Sequence, residues 1–228
     1  MKIYHLNCAT LCPPIAKLVN GTGGWFSPGK LVCHCVLIES NHGLILVDTG
    51  LGLQDVSNPH RLGLSFQLSS RPRLDPEETA LRQIMRLGFQ QKDVRHLVVT
   101  HLDLDHAGGI SDFPDAQVHI FSEEYKVAQP PYSFKNQDRY VPSQWTRHSH
   151  WAFHFPESGE SWYGFEAVNL LEGVSPEVLL IPLPGHTLGH CGVAISTPKG
   201  WLLHCGDSYF YRGEVHGSHR QCPPALRL

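Results

Sequence analysis

A chain of 228 residues, 41% apolar and 17% charged, is long enough to enclose a hydrophobic core and too apolar for a disordered polymer. Its formal net charge of -3, with no run of lysine or arginine, excludes the electrostatic footprint of a nucleic-acid or anionic-membrane binder. The opening MKIYHLNCATLCPP lacks the continuous apolar stretch of a signal peptide, and no segment reaches the roughly 18 apolar residues of a membrane span.

In chain order, Leu31–Ser40 (LVCHCVLIES) and Leu44–Val47 (LILV) flank Asn41-His42-Gly43 and read as a β-hairpin, with glycine supplying positive φ at the turn. Period-2 alternation puts Cys33 and Cys35 on one face and His34 on the other. A Cys-x-Cys pair can bind metal, but core packing is its expected role. DPEETALRQIMRLG (75–88) predicts a helix: Asp75 caps it, Pro76 suits its first turn, and Glu78 sits at capping-box spacing. Leu81, Ile84 and Met85 form its apolar stripe, and Gly88 stops it.

Val94–Thr100 predicts a buried strand that runs directly into THLDLDHAGG. Further strands are expected at Gln117–Phe121, Val178–Leu183, Cys191–Thr197 and Trp201–His204, the last two paired across Lys199-Gly200. Residues 125–165 are rich in aromatic, proline and polar residues (QPPYSFKNQDRY, WTRHSHWAFHF, SWYGF). They are expected to form a lid-like insertion within one domain spanning 1–228.

The expected protein is soluble and cytoplasmic. Its seven cysteines (Cys8, Cys12, Cys33, Cys35, Cys191, Cys205, Cys222) are expected to be reduced thiols rather than a disulfide framework. Sixteen histidines invite a search for metal ligands, since imidazole is the commonest of them. The densest cluster is His101-x-Asp103-x-Asp105-His106, at the end of a predicted strand. A chain of this composition yields roughly 0.002 chance matches to that pattern, so it is not accidental. Two more predicted strand ends carry candidate ligands: His186 in PGHT and Asp207 in HCGDS, each beside a glycine that lets the backbone approach a crowded centre. Imidazole and carboxylate donors together suit Zn²⁺, with Mn²⁺ or Fe²⁺ also compatible.

These three motifs, with Val47-Asp48-Thr49-Gly50 at an earlier strand end, resemble the metallo-β-lactamase-fold superfamily of hydrolases over about residues 30 to 210. The resemblance implies an α/β fold, a four-layer αββα sandwich holding one or two metal ions at its strand ends. It implies that His101, Asp103 and His186 hold one metal, that Asp105 and His106 help hold another, that Asp207 bridges them and that Asp48 orders the site. Position 103 is usually histidine in the family. Two divalent ions supply +4, and Asp103, Asp105, Asp207 and a bridging hydroxide supply -4, where histidine at 103 would leave +1. The expectation is a less electrophilic centre, suited to neutral esters or lactones rather than dianionic phosphate.

The family also places a last histidine several tens of residues beyond the bridging aspartate, and here the sequence ends at Leu228. His216 and His219 are within reach of an extended chain at about 3.3 Å per residue, but GEVHGSHRQCPP lacks the strand-then-ligand context. The expectation is therefore a sandwich lacking its last strand and helix, with a weak or absent second metal position. The apolar surface so left would suit a partner, a homodimer being one arrangement.

The lactonase-like branch is the nearest resemblance. It implies a small-molecule substrate and a metal-bound hydroxide attacking a lactone or carboxylic ester, with Asp105 orienting the nucleophile. In that branch a tyrosine soon after the bridging aspartate stabilises the reacting carbonyl; Tyr209 and Tyr211 are the candidates, at a spacing that is not a clean match. An iron-dependent oxidoreductase of the same fold and a catalytically crippled metal-binding member are the alternatives. Other polar residues have plainer expected roles. His190 makes a structural hydrogen bond, His204 is core or lies behind the site, and Cys205 faces as Asp207 does. His148, His150 and His154 line a pocket wall or an exposed hairpin face.

Overall fold

The computed structural model describes residues 1–19, 23–131, 139–156, 159–210 and 212–215. Its strands carry apolar residues on alternate faces. Val36 and Ile38, Ile45 and Val47, and Val98 point one way, while Cys35 and Leu37, Leu44 and Leu46, and Leu97 point the other. Both faces are buried, which is why these segments read as continuous apolar runs rather than as half-polar strands.

The first sheet holds six strands in the order β1 (Ile3–Leu11), β2 (Leu31–Ser40), β3 (Gly43–Val47), β4 (Val94–Val98), β5 (Gln117–Phe121) and β6 (Trp151–His154). β1 to β3 form an antiparallel meander, and β3 to β6 run parallel. The second sheet is antiparallel, in the order β11 (Gly200–His204), β10 (Cys191–Thr197), β9 (Val178–Pro182), β8 (Phe165–Asn169) and β7 (Glu160–Trp162). Its Val168, Val178, Leu180, Val193 and Ile195 pack against the inner face of the first sheet. The outer face of the first sheet is covered by Ala80, Leu81 and Ile84 of α4 (Ala80–Arg86), together with Ala107, Ile110, Phe113 and Trp145. The outer face of the second sheet carries a smaller cluster of Ala167, Leu179, Ile181 and Ala194, flanked by Trp162 and Trp201.

Both expected hairpins form, Ser40 pairing with Gly43 and Thr197 with Gly200. β1 was not anticipated, because its pairing with β2 shifts register between Asn7 and Thr10 and blurs the alternation. Residues 75–88 also differ from expectation. Asp75 does accept from the Glu77 amide at 2.9 Å, but Pro76–Glu78 is a 3-10 turn, and Thr79 is extended before α4 begins. Glu78 does not fold back on the cap. Its carboxylate accepts from Thr10 N at 2.6 Å and Thr10 Oγ1 at 2.9 Å, tying the turn to β1. Met85 is half exposed, leaving Ala80, Leu81 and Ile84 as the buried stripe.

Two described strands of the segment 125–165 belong to the sandwich: β6 extends the first sheet beside β5, and β7 pairs with β8 in the second. His154 joins a file of imidazoles that crosses three parallel strands. His96 Nδ1 lies 3.0 Å from His119 Nε2, and His119 Nδ1 lies 3.0 Å from His154 Nε2. His148 Nε2 donates to the Ala116 carbonyl at 2.8 Å. Among the described residues no helix is long and apolar enough to cross a membrane. The expected loss of a last strand and helix falls on residues outside those described.

Candidate metal centre

The sequence motifs converge where the strands of both sheets end, the usual place for a site in an open α/β sheet. Asp48 and Thr49 follow β3, and Thr100 and His101 follow β4. Asp105 and His106 lie on the short helix α5 (Leu104–Ala107), His186 follows β9 and Asp207 follows β11. Thr49 pins α5: its amide and hydroxyl both donate to the His106 carbonyl, at 2.9 and 2.8 Å. Gly206 sits at φ 51°, and a Cβ there would lie 2.4 Å from His190 Nε2. That nitrogen accepts from the Asp207 amide at 2.9 Å while His190 Nδ1 donates to the Leu183 carbonyl at 2.9 Å, so His190 aims Asp207 through its backbone.

The hydrogen bonds around Asp48 decide where the imidazole protons sit. Thr100 donates to the Asp48 carboxylate from its amide at 2.8 Å and from its hydroxyl at 2.9 Å. With its own proton given to Asp48, the Thr100 oxygen accepts Nδ1–H of His101 at 2.9 Å. His106 Nδ1–H donates to Asp48 Oδ2, also at 2.9 Å. Both Nε2 atoms are then left with lone pairs turned towards carboxylates: His106 Nε2 is 3.2 Å from Asp207 Oδ1, and His101 Nε2 is 3.4 Å from Asp103 Oδ2. His101 Nε2 is buried without a hydrogen-bond partner, as is Asp103 Oδ1. Lone pair against carboxylate is repulsive unless a cation lies between them, either a proton or a metal ion.

The electrostatics of the protein alone show the same demand. Burial disfavours the imidazolium of His106, yet the Asp207 and Asp48 carboxylates outweigh it and hold its pKa well above the ordinary value. Burial likewise opposes the Asp103 and Asp207 carboxylates, but the neighbouring histidines lower both pKa values. Ligand atoms of His101, His186 and Asp207 lie within 4.8 Å of one another, a group of three that suits a divalent cation. Asp103 Oδ2 is 2.9 Å from His186 Nε2, within the same cluster. The donor set of imidazoles and carboxylates fits zinc, manganese or iron(II).

Asp105 and His106 stand beside this group and belong to no second group of three among the described residues. Asp105 faces a cavity of about 410 Å³ lined also by Cys33, His106, Cys205, Asp207 and Tyr209. Burial first, then Asp207 and Asp103, push its carboxyl above the ordinary range. Cys33, expected in the core, also reaches this wall, its Sγ 3.8 Å from Asp105 Oδ2. Tyr209 lies on the rim, 42% exposed. His204 is buried and lines the same cavity, donating from Nε2 to the His34 carbonyl at 3.0 Å. Tyr211, His216 and His219 lie outside the described residues.

Two site residues carry no sequence signal. Arg139, in the stretch NQDRY, places Nη1 3.4 Å from Asp103 Oδ2 and donates to the His186 carbonyl at 2.9 Å. Glu124, on α6 (Ser122–Val127) and fully buried, accepts from the Leu102 amide at 2.9 Å and from Thr187 Oγ1 at 2.5 Å. It braces the His101 turn against the His186 turn. Neither belongs to a motif, because their partners lie in distant segments of the chain.

Residues 28–224 match the family model of the metallo-beta-lactamase superfamily. A probable metallo-hydrolase of Mycobacterium tuberculosis is 42% identical over 220 residues, covering 96% of this chain, which spans 66% of that protein's length. An N-acyl homoserine lactonase of Bacillus cereus is 28% identical over 209 residues, covering 89% of this chain and 73% of the relative. Among solved structures, AiiA of B. thuringiensis with N-decanoyl-L-homoserine bound at its active site superposes with a TM-score of 0.66 at 25% identity, covering 89% of this chain and 73% of that one. With its sandwich, its ligand-bearing strand ends and these matches, the chain belongs to the metallo-β-lactamase superfamily.

Proposed function

We propose that this chain is a metal-dependent hydrolase of lactones or carboxylic esters that works with zinc, held by His101, Asp103, His186 and Asp207, with Asp105 and His106 available to a second ion. The observation that carries the reading is the pair of imidazole lone pairs, on His101 and His106, that Asp48 and Thr100 turn towards carboxylates. A divalent cation bound there supplies Lewis acidity, polarising a carbonyl and making water acidic near neutral pH.

The chain's own residues do the remaining work. Asp48 and Thr100 keep Nδ1 of both histidines protonated, so that Nε2 is always the free donor atom. Asp105, half-buried on the cavity wall, is placed to accept and pass on the proton of the attacking water. Tyr209, on the rim of the same cavity, is placed to donate its hydroxyl to the carbonyl oxygen as negative charge builds there. A cavity of about 410 Å³ accommodates a small molecule rather than a polymer. The lactonases among the relatives and structural neighbours support a lactone within this substrate class.

The test is hydrolysis by zinc-loaded protein of N-acyl homoserine lactones, simple lactones and aryl acetates, followed by acid release, with an aryl phosphate for comparison. The expected outcome is lactone or ester cleavage at least about 100-fold above metal-free protein. Absence of any metal-dependent hydrolysis, or iron with redox-active spectra in protein purified without added metal, overturns it.

A further inference from the structure

We propose that Asp103 and Arg139 act as one unit in place of a single neutral metal ligand, the Arg139 guanidinium balancing the charge of Asp103. The inference rests on the metal-centre reading above and concerns a residue to which neither motif nor resemblance assigns a role. By formal charge, an aspartate at 103 removes one positive charge from a two-ion centre relative to a histidine. The Arg139 guanidinium returns it. With the guanidinium counted, the aspartate at 103 does not by itself make the centre neutral or indifferent to anionic substrates.

Three features make the pair a built arrangement rather than a chance approach of two long side chains. Arg139 Nη1 lies 3.4 Å from Asp103 Oδ2, and both side chains are nearly buried, 15% and 13% exposed, so solvent screens them little. The same nitrogen donates to the His186 carbonyl at 2.9 Å, joining the turn that carries one proposed ligand to the turn that carries another. The backbone sets the approach: Asp103 forms an isolated antiparallel bridge with Tyr140, the residue next to Arg139. Asp103 Oδ2, the oxygen that faces the guanidinium, also faces His186 Nε2 at 2.9 Å and His101 Nε2 at 3.4 Å, so Arg139 acts on the same oxygen that meets the proposed ligand histidines. Arg139 is engaged by a carboxylate and a carbonyl, which argues against a role in seizing a substrate anion.

The experiment compares four full-length proteins: wild type, Asp103→His, Arg139→Gln, and Asp103→His with Arg139→Gln. Zinc affinity is measured by competition with a chromophoric chelator, and folding by circular dichroism. Asp103→His alone sets an unbalanced guanidinium beside the cation and should weaken zinc by at least about tenfold; the double variant, with the wild-type sum of charges, should return to within about threefold of wild type. Arg139→Gln alone keeps every proposed ligand and removes one positive charge, so it should bind zinc about tenfold more tightly. Asp103→His binding like wild type, a double variant no tighter than Asp103→His, or an Arg139→Gln affinity unchanged or weaker would each overturn the proposal. If Asp103→His does not fold, the Arg139→Gln arm decides alone. Wild type that binds no zinc defeats the metal-centre reading itself, and the proposal with it; zinc bound by wild type with no response to Arg139 defeats the proposal only.

Discussion

Asp48 Oδ2 accepts a hydrogen bond from His106 Nδ1 at 2.9 Å, and the same carboxylate accepts from both the amide and the hydroxyl of Thr100. One buried anion thereby sets the tautomers of two histidines that leave different strand ends. Burial opposes its charge, but His106 first, with His204 and His101, offsets that penalty and lowers its pKa. The residue sits at φ 54°, a left-handed conformation that an aspartate tolerates better than a branched side chain. In the sequence it belongs to VDTG, which admits a turn-capping aspartate equally well.

Asp48→Asn preserves shape but turns an acceptor-only group into one that also donates. The His106 tautomer is no longer enforced, and zinc affinity should fall about 10- to 100-fold with the fold retained. Chelator competition beside a far-ultraviolet circular dichroism spectrum reads both, and unchanged affinity would contradict the proton placement argued above.

His101→Ala combined with His186→Ala removes two of the three atoms that converge within 4.8 Å. Metal bound per chain after dialysis, measured by plasma mass spectrometry, should drop by at least one equivalent. Undiminished metal in the double variant would place the ion elsewhere.

Glu124→Gln exchanges one acceptor for an NH₂ that must face either the Leu102 amide or the Thr187 hydroxyl, both of which now donate to the carboxylate. A buried donor without a partner costs about 1–3 kcal/mol. The urea midpoint should fall correspondingly, and zinc affinity with it, because the braced turns carry His101 and His186. A variant as stable as wild type would leave Glu124 without the bracing role.

The file of histidines predicts acid sensitivity. Burial lowers the His119 pKa to about 3, and burial likewise lowers those of His96 and His154. The unfolded chain takes up a proton near pH 6.5, the folded chain only near 3, so stability present above 6.5 is lost as pH falls through that window. His119 alone should cost about 2 kcal/mol between pH 7 and pH 5. Denaturant titrations across that range should show the loss, and His119→Leu should flatten it. A wild-type stability constant over this range would refute the assignment.

The candidate ligands were legible because strand-end motifs are local: His101, Asp103, Asp105 and His106 fall within six consecutive positions, and His186 and Asp207 each stand beside a glycine after an apolar run. The strands were legible for the same reason, since period-2 burial and turn glycines are written residue by residue. The helix at 75–88 was misjudged because Glu78 found Thr10, far from it in the chain and able to offer two donors. The segment 125–165 looked like an excursion because a strand such as Trp151–His154 is specified by the partner it pairs with rather than by its own pattern.

By itself, the sequence determined the kind of donor atoms, their order along the chain and the sandwich that presents them. Only the tertiary structure decided which nitrogen of each histidine is free, that Glu124 braces two ligand turns, and that the unusual Asp103 is met by Arg139. The physical reason is common to all three. Proton position and charge balance are set at about 3 Å by groups from remote segments, and no spacing along the chain encodes that distance.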